Sequence, residues 1–498
     1  MKAILIIMFF MLTFVVLQAG FILNWEQYFG SAASDGANAA CETAEGGYII
    51  AGYTCSEPDN NTDISLVCSD ADGGELWIGN YNIGGWDYAT GICAAIGEPG
   101  YIITGYSISG SESGFDGFLL KTDLSGNELW RQVYEISGFQ QLEAVCAVED
   151  AGYLLCGSGD ITGNEDDIIV LRTDGAGDTL WTQNYGCTLS DTGYDIISLD
   201  DGTYLITGST GLYDLPYPGS PGRNRELYLL KIDSSGELLM ENSYWIMNTH
   251  QNSYDLGNAV CAATGGGFYA VGSTSRHLNE LMDVAVIKVD NELNEVWKTH
   301  LEFAGFYDYG YDICEDPESG NIYLCGSANQ SQQHEARLFV AALSAEGAIL
   351  DQNLFPSWGA GSGNAILLNN AGNIVVTGYG SASIGGYSDL RLLSLTHLQS
   401  EEEEESLPQK DQSFINYPNP FNPSTTIFLE GELTATQVVN FSIYNIRGEL
   451  VRRFPSQHQK HFTWNGLDNS GNPVVAGIYY GCLQSQAKSS YRKMVLLK

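Results

Sequence analysis

One short apolar run, written seven times, limits what this chain can fold into more than any other feature. It reads GGYIIAGYT at 46–54, GYIITGYS at 100–107, GYLLCGS at 152–158, GTYLITGST at 202–210, GFYAVGST at 267–274, NIYLCGS at 321–327 and NIVVTGYG at 373–380. The glycine closing each copy is Gly52, Gly105, Gly157, Gly208, Gly272, Gly326 and Gly378, at intervals of 53, 52, 51, 64, 54 and 52 residues. A near-constant period of this length is the signature of stacked structural units.

Each unit reads as four strands. TGICAAI (90–96) turns through Glu98-Pro99-Gly100 into YIITGYS; a Gly/Ser/Asp-rich loop leads to DGFLLKTD (116–123), which turns through LSGNE into LWRQVY. β-branched and aromatic segments punctuated by Gly, Asp and Asn are strand and hairpin signals, and no helical period runs through the units. The fourth strands carry Trp77, Trp130, Trp181 and Trp297, with Met240 and Leu350 in that place in two units. The seventh unit stops at Leu395-Thr396-His397 without a fourth strand. ILNWEQYFG (22–30), with Trp25 in the tryptophan position, has the missing pattern at the other end of the chain. Closing the ring with it removes exposed sheet edges. The expected fold is therefore all-β, a seven-bladed β-propeller over 21–398, with a linear solenoid as the alternative.

The chain opens with Lys2, an apolar run from Ala3 to Leu17 and Gln18-Ala19-Gly20, the order of a secretory signal peptide, so residues 1–20 are expected to be removed. No other run approaches the 18 or so apolar residues of a membrane helix, and no transmembrane segment is expected in the mature chain. The net charge is -40, and 407–498 holds nine Lys/Arg against five Asp/Glu, so the excess lies before it. Such a surface repels phosphate backbones and argues against nucleic-acid binding. Of the eleven cysteines, Cys41, Cys93, Cys146, Cys261 and Cys314 share an inner-strand slot with Ile197 and Leu367, while Cys156 and Cys325 share one with Ala51, Thr207 and Val271. These are packing positions. Cys55 and Cys68 are the one pair to test as a bridge.

In a blade, the loop from strand two to strand three and the loop to the next blade lie on one face. The long variable segments 56–62, 107–115 and 158–166 fall there, where function on a rigid scaffold is carried. The 64-residue interval comes from two such loops, 212–225 and 245–255, which place Tyr213, Tyr217, Arg223, Arg225, Trp245, His250 and Asn252 as candidate ligand contacts. Aromatic, amide, imidazole and guanidinium groups suit sugars or peptides; packing of the loops onto the ring is the alternative. Asp35, Asp87, Asp191, Asp255 and Asp308 recur six residues before the inner-strand slot. They are candidate calcium ligands facing the axis, or caps of their own turns. No EF-hand pattern, HExxH or P-loop occurs.

The units resemble a group of bacterial secreted propellers with GGYI-x-x-G-x-T, D-x-x-L-x-K-x-D-x-x-G and W-x-x-x-Y over about residues 22–397. They look distantly like quinoprotein dehydrogenase repeats (TDLSGNELW, 122–130) and sialidase aspartate boxes. The chain lacks the eighth blade and vicinal cysteines of the former, and the spacing and arginine cluster of the latter. After an acidic linker at 399–413, INYPNPFNPSTTI (415–427), FSIYNIRGELVRRF (441–454), FTWNGLDNSGNPVVAGIYY (462–480) and KMVLLK (493–498) look like a type A sorting domain of type IX secretion, similar to the immunoglobulin-like domain of flagellar hook-capping proteins. The residues carrying that resemblance are Tyr417, Pro418, Asn419, Pro420, Phe421, Asn422, Pro423, Lys493 and Lys498. The resemblance implies partnership with the type IX machinery, export across the outer membrane, and a secreted or cell-surface location. On its own strands, 414–498 reads as a small immunoglobulin-like β-sandwich.

The resulting expectation is a non-catalytic, monomeric propeller that binds a glycan, peptide or surface partner. The alternatives are an extracellular polysaccharide hydrolase or lyase, and a structural envelope component. Calcium is the one cofactor the residues suggest.

Overall fold

A computed structural model describes residues 20–497 except 32, 57–60, 109–113, 136–139, 149–151, 160–165, 188, 214–222, 248–253, 276–281, 304–306, 330–335, 356–359, 383–385, 399–412, 418–420, 431–438, 446–449, 458–460 and 485–488. All named elements are strands. The chain divides into two compact units, Met1–Ser400 and Glu401–Lys498.

The first unit holds seven four-stranded antiparallel sheets, the seven-bladed propeller that the repeat predicts. Blade 1 is Asp35–Glu42, Tyr48–Ser56, Asn61–Ser69 and Glu75–Tyr81, and the next five repeat this order. Blade 7 takes Ser362–Leu368, Ile374–Gly380 and Asp389–Leu398 from the end of the unit and Gly20–Phe29 from its beginning. That closing strand is tied by the buried Arg391, whose Nε donates to Glu26 at 2.6 Å.

Each sheet is covered on both faces by its neighbours, which is why its middle strands are apolar at nearly every position rather than alternating. The core is accordingly seven slabs. One joins Ile49, Ile64 and Leu66 of blade 1 to Ile103, Phe118 and Leu120 of blade 2, and the series ends with Val375 and Leu392 of blade 7 on Ile50 and Val67 of blade 1. The fourth strands are mostly exposed.

The repeated glycine has a steric cause. In every blade the first strand bulges against the second, as between Ala37 and Ala39 opposite Gly52 and Ala51. The bulge drives a first-strand carbonyl into the space a Cβ would take. The intruding oxygens are those of Gly36, Tyr88, Gln141, Thr192, Leu256, Tyr309 and Ser362, one for each repeat glycine. Only a residue without a side chain fits.

A second glycine belongs to the turn between strands three and four. Gly73, Gly126, Gly177 and Gly236 have φ between +80° and +84°. They lie against Trp25, Trp77, Trp130 and Trp181 of the preceding blade, and Gly347 lies against Trp297. Where the preceding blade has Met240, the turn residue is Leu293, at φ 59°. The turns are capped by their first residue: Asp123 accepts from the N–H groups of Ser125 (2.8 Å) and Asn127 (2.9 Å).

All eleven cysteines are free. Cys55 and Cys68, the suspected bridge, lie opposite Thr62 and Ile49 in the same hairpin. Six residue steps of strand separate those positions, roughly 20 Å, so the register forbids a bond. Burial pushes the Cys41 and Cys146 thiols up to about 12, as expected of packing groups.

The second unit is a two-sheet sandwich, one sheet of Ser413–Tyr417, Thr425–Glu430 and His461–Trp464 and one of Leu450–Gln457, Val439–Asn445, Gly477–Gln484 and Ser489–Leu496. Phe421 is 1% exposed in its core with Trp464, Phe441 and Met494. Its backbone bonds the last strand through Val495 (2.9 Å) and Leu497 (2.8 Å). Asn422 and Pro423 are exposed and Tyr417 ends the first strand, whereas Pro418, Asn419, Pro420 and Lys498 lie outside the described residues, as does the side chain of Lys493.

Replacing Gly126 by Val should destabilise the propeller by about 2–4 kcal/mol, from left-handed strain plus a Cβ 2.6 Å from the Trp77 ring. Denaturant unfolding of the variant, alone and with Trp77→Met, checks this: the second change should recover part of the loss, mirroring Met240 beside Leu293.

Candidate functional site

Around the axis, the bulged residue of the first strand points a polar side chain at the next blade in blades 1, 2, 5 and 7. Asn38 Nδ2 donates to the Ala89 carbonyl (2.8 Å), Thr90 Oγ1 to Leu142 (2.7 Å), Asn258 Nδ2 to Gly310 (2.7 Å) and Asn364 Nδ2 to Ala37 (2.8 Å). One residue on, Asp195 accepts from the Val260 N–H (3.0 Å) and Asp312 from the Ile366 N–H (2.7 Å). These six bonds close six of the seven junctions. The seventh, between blades 3 and 4, has Glu143 in the bulge.

Burial pushes the carboxyl groups of Glu143, Asp195 and Asp312 up to about 7, 6 and 7, with the charge of Asp195 adding to the shift of Asp312. These channel carboxylates were not singled out by the sequence, because none repeats at a fixed place in most blades.

Just beyond this ring, toward the long-loop face, lies a collar of half-buried tyrosines. Tyr53, Tyr106 and Tyr379 follow the repeat glycine directly. Tyr88 and Tyr309 stand on first strands one residue before the glycine-paired position. Tyr194 and Tyr311 occupy bulges, and Tyr254 precedes the fifth blade. Ring centroids of Tyr53 and Tyr88 are 5.3 Å apart, of Tyr88 and Tyr106 5.4 Å, and Tyr309 stacks with Tyr311 at 6.2 Å. Burial pushes the Tyr53 and Tyr311 phenols up to about 12, each with Tyr379 contributing. Burial and then the Glu143 charge raise Tyr106. Tyr53, Tyr106 and Tyr311 are thus neutral hydrogen-bonding rings at neutral pH, not bases. A cavity of about 200 Å³ between blades 7 and 1 is lined by Tyr53 of the collar and by Asp35.

The 64-residue interval builds a projecting hairpin, Tyr204–Tyr213 with Arg223–Ile232, in which Tyr213 pairs with Arg223. Of the seven predicted ligand contacts, Tyr217, His250 and Asn252 lie outside the described residues, as do the side chains of Tyr213 and Arg223. Arg225 joins the collar: its guanidinium lies 5.6 Å from the Tyr254 ring centre and donates to Ser209 Oγ (3.0 Å) and Thr192 Oγ1 (3.3 Å). Trp245 is partly buried, and its carbonyl accepts from Lys298 Nζ (2.7 Å).

The five repeated aspartates are all buried at the loop-side ends of the first strands. Each of four holds the N–H of its incoming loop: Asp35 from Ser31 (2.5 Å), Asp87 from Ile83 (2.7 Å), Asp191 from Cys187 (2.6 Å) and Asp308 from Phe303 (2.9 Å). The backbone N–H of Asp255 donates to the Arg225 carbonyl at 2.9 Å. No three of them converge within 4.8 Å.

Residues 425–488 match the FlgD Ig-like domain family. Among solved structures the chain is similar to PorZ, a surface component of the type IX secretion system of Porphyromonas gingivalis, at 13% identity and TM-score 0.38 over 92% of this chain and 59% of that one. It is also similar to a fungal alcohol oxidase in complex with copper (12% identity, TM-score 0.45, 95% and 99% covered) and to a puromycin hydrolase (10%, 0.44, 80% and 61%). The chain therefore spans 59% of the length of PorZ. No curated protein matches it.

Glu143→Gln tests the channel electrostatics. A carboxyl whose folded pKa is raised stabilises the fold fully below its unfolded pKa and loses that contribution as pH rises through about 7. Wild type should therefore lose stability between pH 4 and 7 through these groups. The variant should lose less and gain about 2 kcal/mol at pH 8, read by denaturant unfolding at both pH values.

Proposed function

We propose that the propeller is a non-catalytic binding module that takes a glycan or an extended peptide at the tyrosine collar, and that the C-terminal sandwich exports it through the type IX secretion machinery to the cell surface or the medium. The observation that carries the binding reading is the collar itself: eight half-buried phenols, interrupted at blade 3 by Glu143 and flanked by Arg225, around the mouth of a rigid ring. Rings with one wet edge stack on sugar or peptide faces while their hydroxyls hydrogen-bond. The export reading is supported by the apparent signal peptide, the YPNPFNP segment and the match of 425–488 to an Ig-like domain family.

Full-length protein should retain one class within a panel of polysaccharides and peptides, without releasing product. Tyr88→Ala with Tyr106→Ala should weaken retention at least tenfold while the fold persists. Retention unchanged in that variant would remove the collar from the reading, and product release abolished by Glu143→Gln would replace binding with catalysis.

A further inference from the structure

Blade 5 departs from its sisters at the outer edge of the sheet. In the first blade Asn82 donates to the third-strand Asp63 at 2.5 Å; in the third, Asn184 donates to Asp167 at 3.0 Å; in the fourth, Ser243 donates to Glu226. Each is a carboxylate that accepts a hydrogen bond from a neutral donor on or just past the fourth strand. In blade 5 the carboxylate is Asp283, but the position of Asn184 and Ser243 is His300 and the position of Asn82 is Glu302. The register that pairs Ala285 with His300 and Val284 with Leu301 brings Glu302 opposite Asp283, and the two-residue strand period puts His300 on the same face.

One potential ligand atom from each of Asp283, His300 and Glu302 lies within 4.8 Å of the other two, and no other such group occurs among the described residues. Two carboxylates have replaced an acceptor–donor pair, and an imidazole stands beside them. Repulsion between the carboxylates is relieved by a cation, and a nitrogen donor with two oxygen donors selects a borderline transition ion over calcium, which takes oxygen alone.

We propose that Asp283, His300 and Glu302 form a binding site for one divalent transition-metal ion, of which zinc is the representative. His300 and Glu302 are exposed, so the ion reaches the site from solvent and keeps water in its remaining positions. The site is independent of the collar and of the repeated aspartates.

The test is titration of full-length protein with zinc chloride by calorimetry, in parallel with His300→Ala and the double variant His300→Ala, Glu302→Gln, each checked for unchanged thermal unfolding without metal. Wild type should bind one zinc ion that the double variant does not, with at least a tenfold weaker affinity in the single variant, and a hundredfold excess of calcium should not displace it. X-ray absorption should show one imidazole nitrogen and oxygen donors at about 2.0–2.2 Å. Equal stoichiometry and affinity in the double variant would overturn the site, as would sulfur in the coordination shell or displacement by calcium.

Discussion

The bulge in each innermost strand is the constraint on which the propeller rests. It forces the carbonyl of the residue two before the bulged one against the second strand, which makes the facing residue glycine in all seven blades. The same distortion turns one extra side chain toward the next blade, where Asn38, Thr90, Asn258 and Asn364 find a carbonyl. The conserved period and the ring of hydrogen bonds are therefore one event seen from two sides. Its irregularities are informative: Glu143 cannot donate once ionised, so blades 3 and 4 meet around a carboxyl held near neutrality by burial.

At the opposite ends of the blades the units are joined by shape. A tryptophan on one outer strand needs a turn in the next blade with no side chain, and the chain supplies glycine wherever tryptophan is present. Leu293 stands in that turn only opposite Met240. Such compensation within a single chain shows that blades are matched to their neighbours rather than interchangeable.

The fold was legible because burial on both faces erases alternation in the middle strands and leaves period and punctuation as the signal. Closure was legible from Trp25, which sits in a repeat position at the wrong end of the chain. The collar was half legible. Tyrosine follows the repeat glycine at Tyr53, Tyr106 and Tyr379, three adjacent blades once the ring is closed, but along the linear chain these look scattered. Asp283, His300 and Glu302 were invisible for a related reason: strand register, not sequence spacing, places residue 302 across from residue 283. Cys55 and Cys68 show the converse, being neighbours in sequence that the hairpin holds far apart.

The borrowed strand of blade 7 also orders events in time. Gly20–Phe29 is made first, yet its partner Asp389–Leu398 is made last in the propeller, so the contacts sealing the ring have the greatest sequence separation in the unit. Until that pairing forms, both ends of the array present open strand edges able to capture one another or another chain. Arg391, buried beside Glu26, meets that carboxylate only when the closing strand is in place, so a ring left one strand short withholds a partner from a buried guanidinium, and the clasp penalises the unsealed state.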